Sequence, residues 1–302
     1  MFISAHLVKA VAWMLGAIAS FIAMAISVRE LSSGMHAFEM LFIRSAIGVV
    51  ILGAVIALRR RRAVYTRRIW GHVGRNIIHF GGQTFWIFGI SLLPLSTVAA
   101  IEFTTPLWGT AMVVLFLGER MNRGRWIALG LGFVGILLIL RPDISAGAGF
   151  VSTGALIMLA CTFCFGGTSA VTKWLTRTES ALTILFYMVA IQTLFGAVAS
   201  VFVWTPVAWA DAPMLVVLAV TGLSAHYCLS SALAEADATL VMPMEFLRLP
   251  LIAVLGYWLY NEGLDPVIMI GAALIFSGNL YSLRHESRAG PASRPARSED
   301  IK

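Results

Sequence analysis

Charge is scarce in this chain. Only 12% of its 302 residues are charged, against roughly 25% in a soluble domain, which excludes a water-facing surface wrapped around a single soluble core. Cysteine is nearly absent. Cys161, Cys164 and Cys228 all fall inside apolar runs, so no disulfide framework is predicted. Cys161 and Cys164 share a helix face at a spacing of three, but further ligands are missing nearby, and they read as small packing residues with no metal site. The sequence also lacks an HExxH motif, a serine nucleophile elbow, clustered aspartates and a P-loop. His36, His72 and His285 sit near the ends of apolar runs and build no buried triad. These absences exclude a membrane-embedded hydrolase and an ATP-driven pump, and leave no catalytic residue, metal or cofactor to assign. A cleavable signal peptide is not evident either. The run from Leu7 to Val28 exceeds the usual 7–15-residue signal core and precedes no clear cleavage site, so it reads as a first membrane span.

What is abundant is hydrophobicity. Apolar residues make up 59% of the chain and the mean hydropathy is +0.86, the composition of an all-α polytopic membrane protein. At about 20 apolar residues per crossing, the runs predict ten transmembrane helices, near 7–29, 35–58, 71–92, 95–117, 125–141, 151–175, 181–204, 213–234, 237–260 and 265–283. Very short links such as Leu93-Pro94 make consecutive helices antiparallel. The net charge of +7 does not indicate nucleic acid, because the basic residues lie in short loops between spans. One side of the membrane receives 17 of the 22 Lys and Arg residues, including Arg59 to Arg62, and the other only Arg29 and Arg141, with Arg44, Arg75 and Arg248 in or at the edge of spans. That asymmetry predicts both termini in the cytoplasm of a bacterial cell, the protein lying in the cytoplasmic (inner) membrane. The expected partners are a small-molecule substrate and membrane lipid, with a homodimer a compatible assembly.

The chain reads as a duplication. Ser96 to Glu119, STVAAIEFTTPLWGTAMVVLFLGE, returns 143 residues later as Thr239 to Glu262, TLVMPMEFLRLPLIAVLGYWLYNE, with Glu102-Phe103 on Glu245-Phe246 and Glu119 on Glu262. Arg29-Glu30-Leu31 matches Lys173-Trp174-Leu175 at a shift of 144. Each unit holds five spans. Because five is odd, the second copy must enter the membrane from the opposite side, giving two inverted five-helix repeats, an architecture of secondary transporters with a midplane site. The predicted boundaries are 1–143, 144–284, and a disordered cytoplasmic tail at 285–302 rich in Pro and Ser.

Ten spans in two fivefold units, a proline-bearing fourth helix ending in LGER (Leu117 to Arg120), a fifth helix reading GLGFVGILLILRP and a YNEG turn (Tyr260 to Gly263) resemble the EamA type of the drug/metabolite transporter (DMT) superfamily over residues 7–283. The resemblance implies a central cavity lined by helices one, three and four and their counterparts six, eight and nine. It also implies transport of amino acids, nucleotide-like cofactors, vitamins or metal-chelating metabolites, often outward.

Ionisable groups at membrane depth mark the candidate site. Glu102 and Glu245 are repeat mates, suited to bind a cationic group or to take up the proton that drives transport; Pro106, four residues after Glu102, frees a backbone carbonyl and bends the helix. Arg248, three residues after Glu245, either pairs with it along the helix or holds a substrate anion. His79, Gln83 and Trp86 share one face of the third span, and Gln83 maps onto His226 and Thr84 onto Tyr227 in the second copy. Interhelical hydrogen bonding is the structural alternative for these polar residues. Arg44 calls for a partner, with Glu102 or Glu39 the candidates. Glu119 and Glu262 read as interfacial turn residues. Together these groups point to a secondary transporter that moves a small polar metabolite outward, amino acids first, with a facilitator or importer of a larger nucleotide-like or vitamin-like molecule as the alternative, given Trp86, Tyr227 and Phe246.

Overall fold

A computed structural model of the protein describes residues 5–58, 64–117, 123–140, 152–235, 244, 247–263 and 265–288. Arg59 to Arg62, Glu119, Arg141, Glu245, Phe246 and the tail from residue 289 lie outside that set. Among the described residues the regular structure is helical: α1 (Ala5–Leu31), α2 (Ala37–Leu58), α3 (Ile69–Leu92), α4 (Leu95–Glu102), α5 (Thr105–Leu117), α6 (Arg123–Leu140), α7 (Thr153–Leu175), α8 (Ala181–Ser200), α9 (Ala212–Glu235), α10 (Arg248–Tyr260) and α11 (Pro266–Arg288). Helices are what an apolar solvent demands, because each satisfies its own backbone polar groups. Where the chain turns, side chains take over: the Ser152 and Ser180 hydroxyls accept from the backbone N–H groups of Ala155 and Thr183 at 3.2 and 3.1 Å.

Six helical stretches are long and apolar enough to cross a membrane: Val8–Leu31, Ala37–Leu58, Arg123–Leu140, Thr153–Leu175, Leu182–Ser200 and Trp209–Ala232. The other expected spans depart from that standard for physical reasons. α3 is 24 residues long, but a stripe of buried His72, Arg75, Asn76, His79 and Gln83 lowers its hydropathy. The fourth span is broken in two. The helix stops at Glu102 and resumes at Thr105, where Pro106 has no N–H to continue the ladder. The Phe103 carbonyl oxygen freed there accepts from Asn279 Nδ2 of α11 at 3.1 Å, and Thr104 Oγ1 donates to the Ile101 carbonyl at 2.8 Å. The bend expected from sequence is therefore a full interruption. α11 runs on to Arg288, past residue 284, where the sequence placed the end of the second unit.

The helices pair across the two halves of the chain: α1 with α9, α2 with α8, α3 with α7, α4 with α10 and α6 with α11. Glycine sets the closest approaches. A Cβ on Gly135 would lie 2.6 Å from the Gly271 carbonyl oxygen, and one on Gly271 would lie 2.7 Å from that of Gly135, so α6 and α11 cross with backbones touching. The polarity is that of a membrane bundle: Leu115, Leu194 and Trp258 are exposed, whereas Glu39, Arg75, His79, Gln192 and Arg248 are buried.

Candidate functional site

The buried polar groups surround one cavity of about 740 Å³, lined from α1 by Phe21 and Met24, from α2 by Arg44, from α3 by Arg75, His79, Gln83 and Trp86, and from the broken helix by Glu102 and Phe103. The second half contributes Phe165 and Thr168 from α7, Gln192 from α8, Gly222 and His226 from α9, and Arg248 from α10. A volume of this size encloses a drug-sized ligand. The cavity reaches Arg125 and Lys173 at one end of the bundle; none of the described residues at the opposite end, where Arg29 lies, borders it.

The break in the fourth span puts Glu102 at the last position of α4, and α10 begins at Arg248. The two meet: Arg248 Nη2 lies 3.3 Å from Glu102 Oε2, with side chains 8% and 14% exposed. The guanidinium also sits 5.2 Å above the ring of Phe21 and 6.0 Å from that of Phe103, a cation–π cage that stabilises the charge in a poorly hydrated setting. Two sequence expectations are corrected here. Arg44 pairs with neither Glu102, which Arg248 engages, nor Glu39, whose carboxylate accepts from the Thr205 backbone N–H and hydroxyl and, at 3.1 Å, from the His36 N–H. Glu39 is spent holding the start of α2 to the stretch after α8. Glu245, the other candidate partner of Arg248, is outside the described residues.

His79 is the centre of the polar stripe. Gln192 Nε2 lies 2.8 Å from its Nδ1 and Gln83 Nε2 lies 3.3 Å from its Nε2. An amide nitrogen only donates and a neutral imidazole has one bare nitrogen to accept, so one of these two contacts is a hydrogen bond to the ring. His226 stands 6.5 Å away ring to ring, perpendicular to His79, and packs on Phe21. Arg75 Nε donates to Thr172 Oγ1 at 2.7 Å. Several lining groups keep unused hydrogen-bonding capacity among the described residues: Trp86 Nε1, Arg248 Nε, Thr168 Oγ1 and the free amide oxygens of Gln83 and Gln192. Buried polar atoms are rarely left so, and all five belong to residues that line the cavity.

Of the residues singled out by sequence, His79, Gln83, Trp86, Glu102, His226 and Arg248 converge on the cavity. Tyr227 does not. It is 56% exposed and packs edge-on against Trp13 at 5.7 Å, because a residue next to His226 on a helix points about 100° away from it. Ser20 likewise spends its hydroxyl on Ser224, 2.8 Å away between α1 and α9. Sequence reasoning missed Gln192 and Phe165; the signal was a lone glutamine in the otherwise apolar run ILFYMVAIQTLF.

A second polar cluster closes the Arg29 end. Arg29 Nη2 donates to Glu262 Oε1 at 2.5 Å and to the Leu93 carbonyl at 2.6 Å, while the Leu95 N–H donates to Glu262 Oε2 at 2.7 Å. Tyr260 donates its hydroxyl proton to Glu30 at 2.7 Å. Asn261 adopts φ 54°, the left-handed conformation that ends α10 and turns Glu262 back toward the bundle. Glu262 is thus more than a turn residue: it ties α1, the α3–α4 link and the end of α10 together.

Comparison with known proteins places this geometry. The EamA-like transporter family matches residues 8–141 and again residues 152–284. The chain is 26% identical over 279 residues to an S-adenosylmethionine uptake transporter of Rickettsia bellii, covering 92% of this chain and 94% of that one. It is 31% identical over 227 residues to a riboflavin transporter of Rhizobium johnstonii, covering 75% and 74%. A pseudopaline exporter of Pseudomonas aeruginosa is 26% identical over 258 residues, covering 82% and 86%. One solved crystal structure superposes with a TM-score of 0.64 at 17% identity, covering 93% of this chain and 98% of that chain.

Proposed function

The chain belongs to the EamA-like transporter family of the DMT superfamily, as a multi-pass protein of a bacterial inner membrane and not an enzyme, and from that premise we propose that it takes up a cofactor-like or vitamin-like molecule through the central cavity. The observation that carries this reading is the set of unsatisfied polar atoms between aromatic faces. Trp86 Nε1 and Arg248 Nε offer donors, the glutamine amides offer acceptors, and Phe21, Phe103, Phe165 and Trp86 offer ring surfaces. A flat heterocycle with donors and acceptors along its edge uses both kinds of surface, whereas an amino acid would leave most of the cavity unfilled. Relatives named for S-adenosylmethionine uptake and riboflavin transport favour the same reading over amino-acid export. Transport proceeds by alternating access between two inverted five-helix repeats, 1–143 and 144–284, with both termini cytoplasmic; the pairing of α1 with α9 and of α3 with α7 supports that arrangement. Glu102 and its repeat mate Glu245 are the candidates to couple a proton to that cycle.

Binding to the purified protein tests the reading. Riboflavin, S-adenosylmethionine and a panel of amino acids are titrated against wild type and Trp86→Phe, which keeps the ring and removes the N–H. At least one of the two heterocycles is expected to bind, and losing one neutral donor weakens it about fivefold, for roughly 1 kcal/mol. Saturable binding of amino acids alone overturns the proposal.

A further inference from the structure

Arg44 is a charged lining group without a counter-ion among the described residues. It is the eighth residue of α2 and lines the cavity. Its one polar contact among the described residues is Met24 Sδ, 3.9 Å from Nη1, and Glu39 and Glu102 are engaged elsewhere. Arg75 faces the same space, 7% exposed and bonded only to the neutral Thr172 and Asn76 among the described residues. Both guanidinium groups lie within electrostatic reach of His79 and His226. Among the described residues the lining sets Arg44, Arg75 and Arg248, with Arg125 and Lys173 at one end, against Glu102. A guanidinium held at membrane depth without a partner is costly, and its planar fork suits the two oxygens of a carboxylate or phosphate.

We propose that Arg44 anchors an anionic group of the transported molecule, a carboxylate or a phosphate, with Arg75 as the second positive charge that holds it. This rests on the cofactor-like reading of the cavity and narrows it: the aromatic part lies among Trp86, Phe165 and Phe103, and the anionic appendage points to α2. Gly222 on α9 leaves room for it, since a Cβ there would come within 3.9 Å of Arg44 Nη1 and 3.7 Å of Met24 Sδ.

Matched probes that differ only in the anionic group decide the matter. Riboflavin is compared with flavin mononucleotide, which adds a phosphate, and S-adenosylmethionine with its decarboxylated form. Dissociation constants are measured for the purified protein, for Arg44→Gln and for Arg44→Lys, each first shown to be monodisperse. In at least one pair the anionic member is expected to bind about tenfold tighter, and Arg44→Gln to bring that ratio below about twofold while Arg44→Lys retains part of it. The pair that responds identifies phosphate or carboxylate as the group read. Binding in which neither pair discriminates, or in which Arg44→Gln weakens both members equally, overturns the anion site and leaves the cofactor-like reading standing. Failure of all four probes to bind overturns both.

Discussion

Replacing Glu102 by glutamine is expected to lower transport at least tenfold while leaving the protein inserted in the membrane. The carboxylate stands at the broken end of α4, 3.3 Å from Arg248 on the opposite half of the cavity. In the proposed alternating-access cycle that pair links the first half of the chain to the second. Glu102→Gln also strands Arg248: a buried guanidinium without its carboxylate costs on the order of 3 kcal/mol. Glu102→Gln and Arg248→Gln should therefore each lose thermal stability as well as transport. The double variant separates the two effects. Removing both charges relieves the stranded ion, so stability returns toward wild type, while transport stays lost because the pair is no longer there to exchange partners with substrate or proton. Recovery of transport in the double variant would make the pair a structural cross-link and nothing more. Unfolding curves and vesicle uptake on the same four preparations read both quantities.

Glu262→Gln is expected to open the Arg29 end. Charge-assisted hydrogen bonds contribute about 1.5–3 kcal/mol each, and those on Glu262 link α1 to the α3–α4 link in the closed arrangement. Losing about 2 kcal/mol of that preference shifts a two-state equilibrium about thirtyfold. The readout is a thiol at Ser27, fully buried within one turn of Arg29 on α1, in a variant whose Cys161, Cys164 and Cys228 are replaced by serine. Ser27→Cys should react slowly with a water-borne maleimide in the parent and at least tenfold faster when Glu262→Gln is added. An unchanged rate would mean that the cluster decorates the end without closing it. The repeat register sets Lys173 where Arg29 stands and Glu119 where Glu262 stands, so Lys173→Gln should act with the opposite sign and slow the same reaction.

Much of the architecture was legible because membrane helices declare themselves by composition. Long apolar runs and a proline four residues after a glutamate are local facts, and each led to an element the structure contains. The His79–Gln83–Trp86 stripe was legible for the same reason: residues three and four apart share a helix face whatever the rest of the chain does. What could not be read were the partners. Glu102 and Arg248 lie in opposite halves of the chain, and sequence offered nearer choices for each: Glu245 for Arg248, Arg44 for Glu102. Arg29 and Glu262, 233 residues apart, read as two unrelated interfacial charges until the left-handed turn at Asn261 folded one onto the other. Tyr227 was drawn into the site by alignment with the first copy, which fixes depth in the membrane but not the direction a side chain takes around the helix. Gln192 was passed over because a single polar residue carries no periodicity.

The most direct test of the account is counterflow in sealed vesicles containing the purified protein. Vesicles are loaded with unlabelled riboflavin or S-adenosylmethionine and diluted into the radiolabelled compound. The account predicts saturable accumulation of label for at least one of the two, absent from protein-free vesicles and from vesicles carrying Glu102→Gln. Label entering no faster than in protein-free vesicles for both compounds, with amino acids exchanging readily in the same preparation, would contradict it.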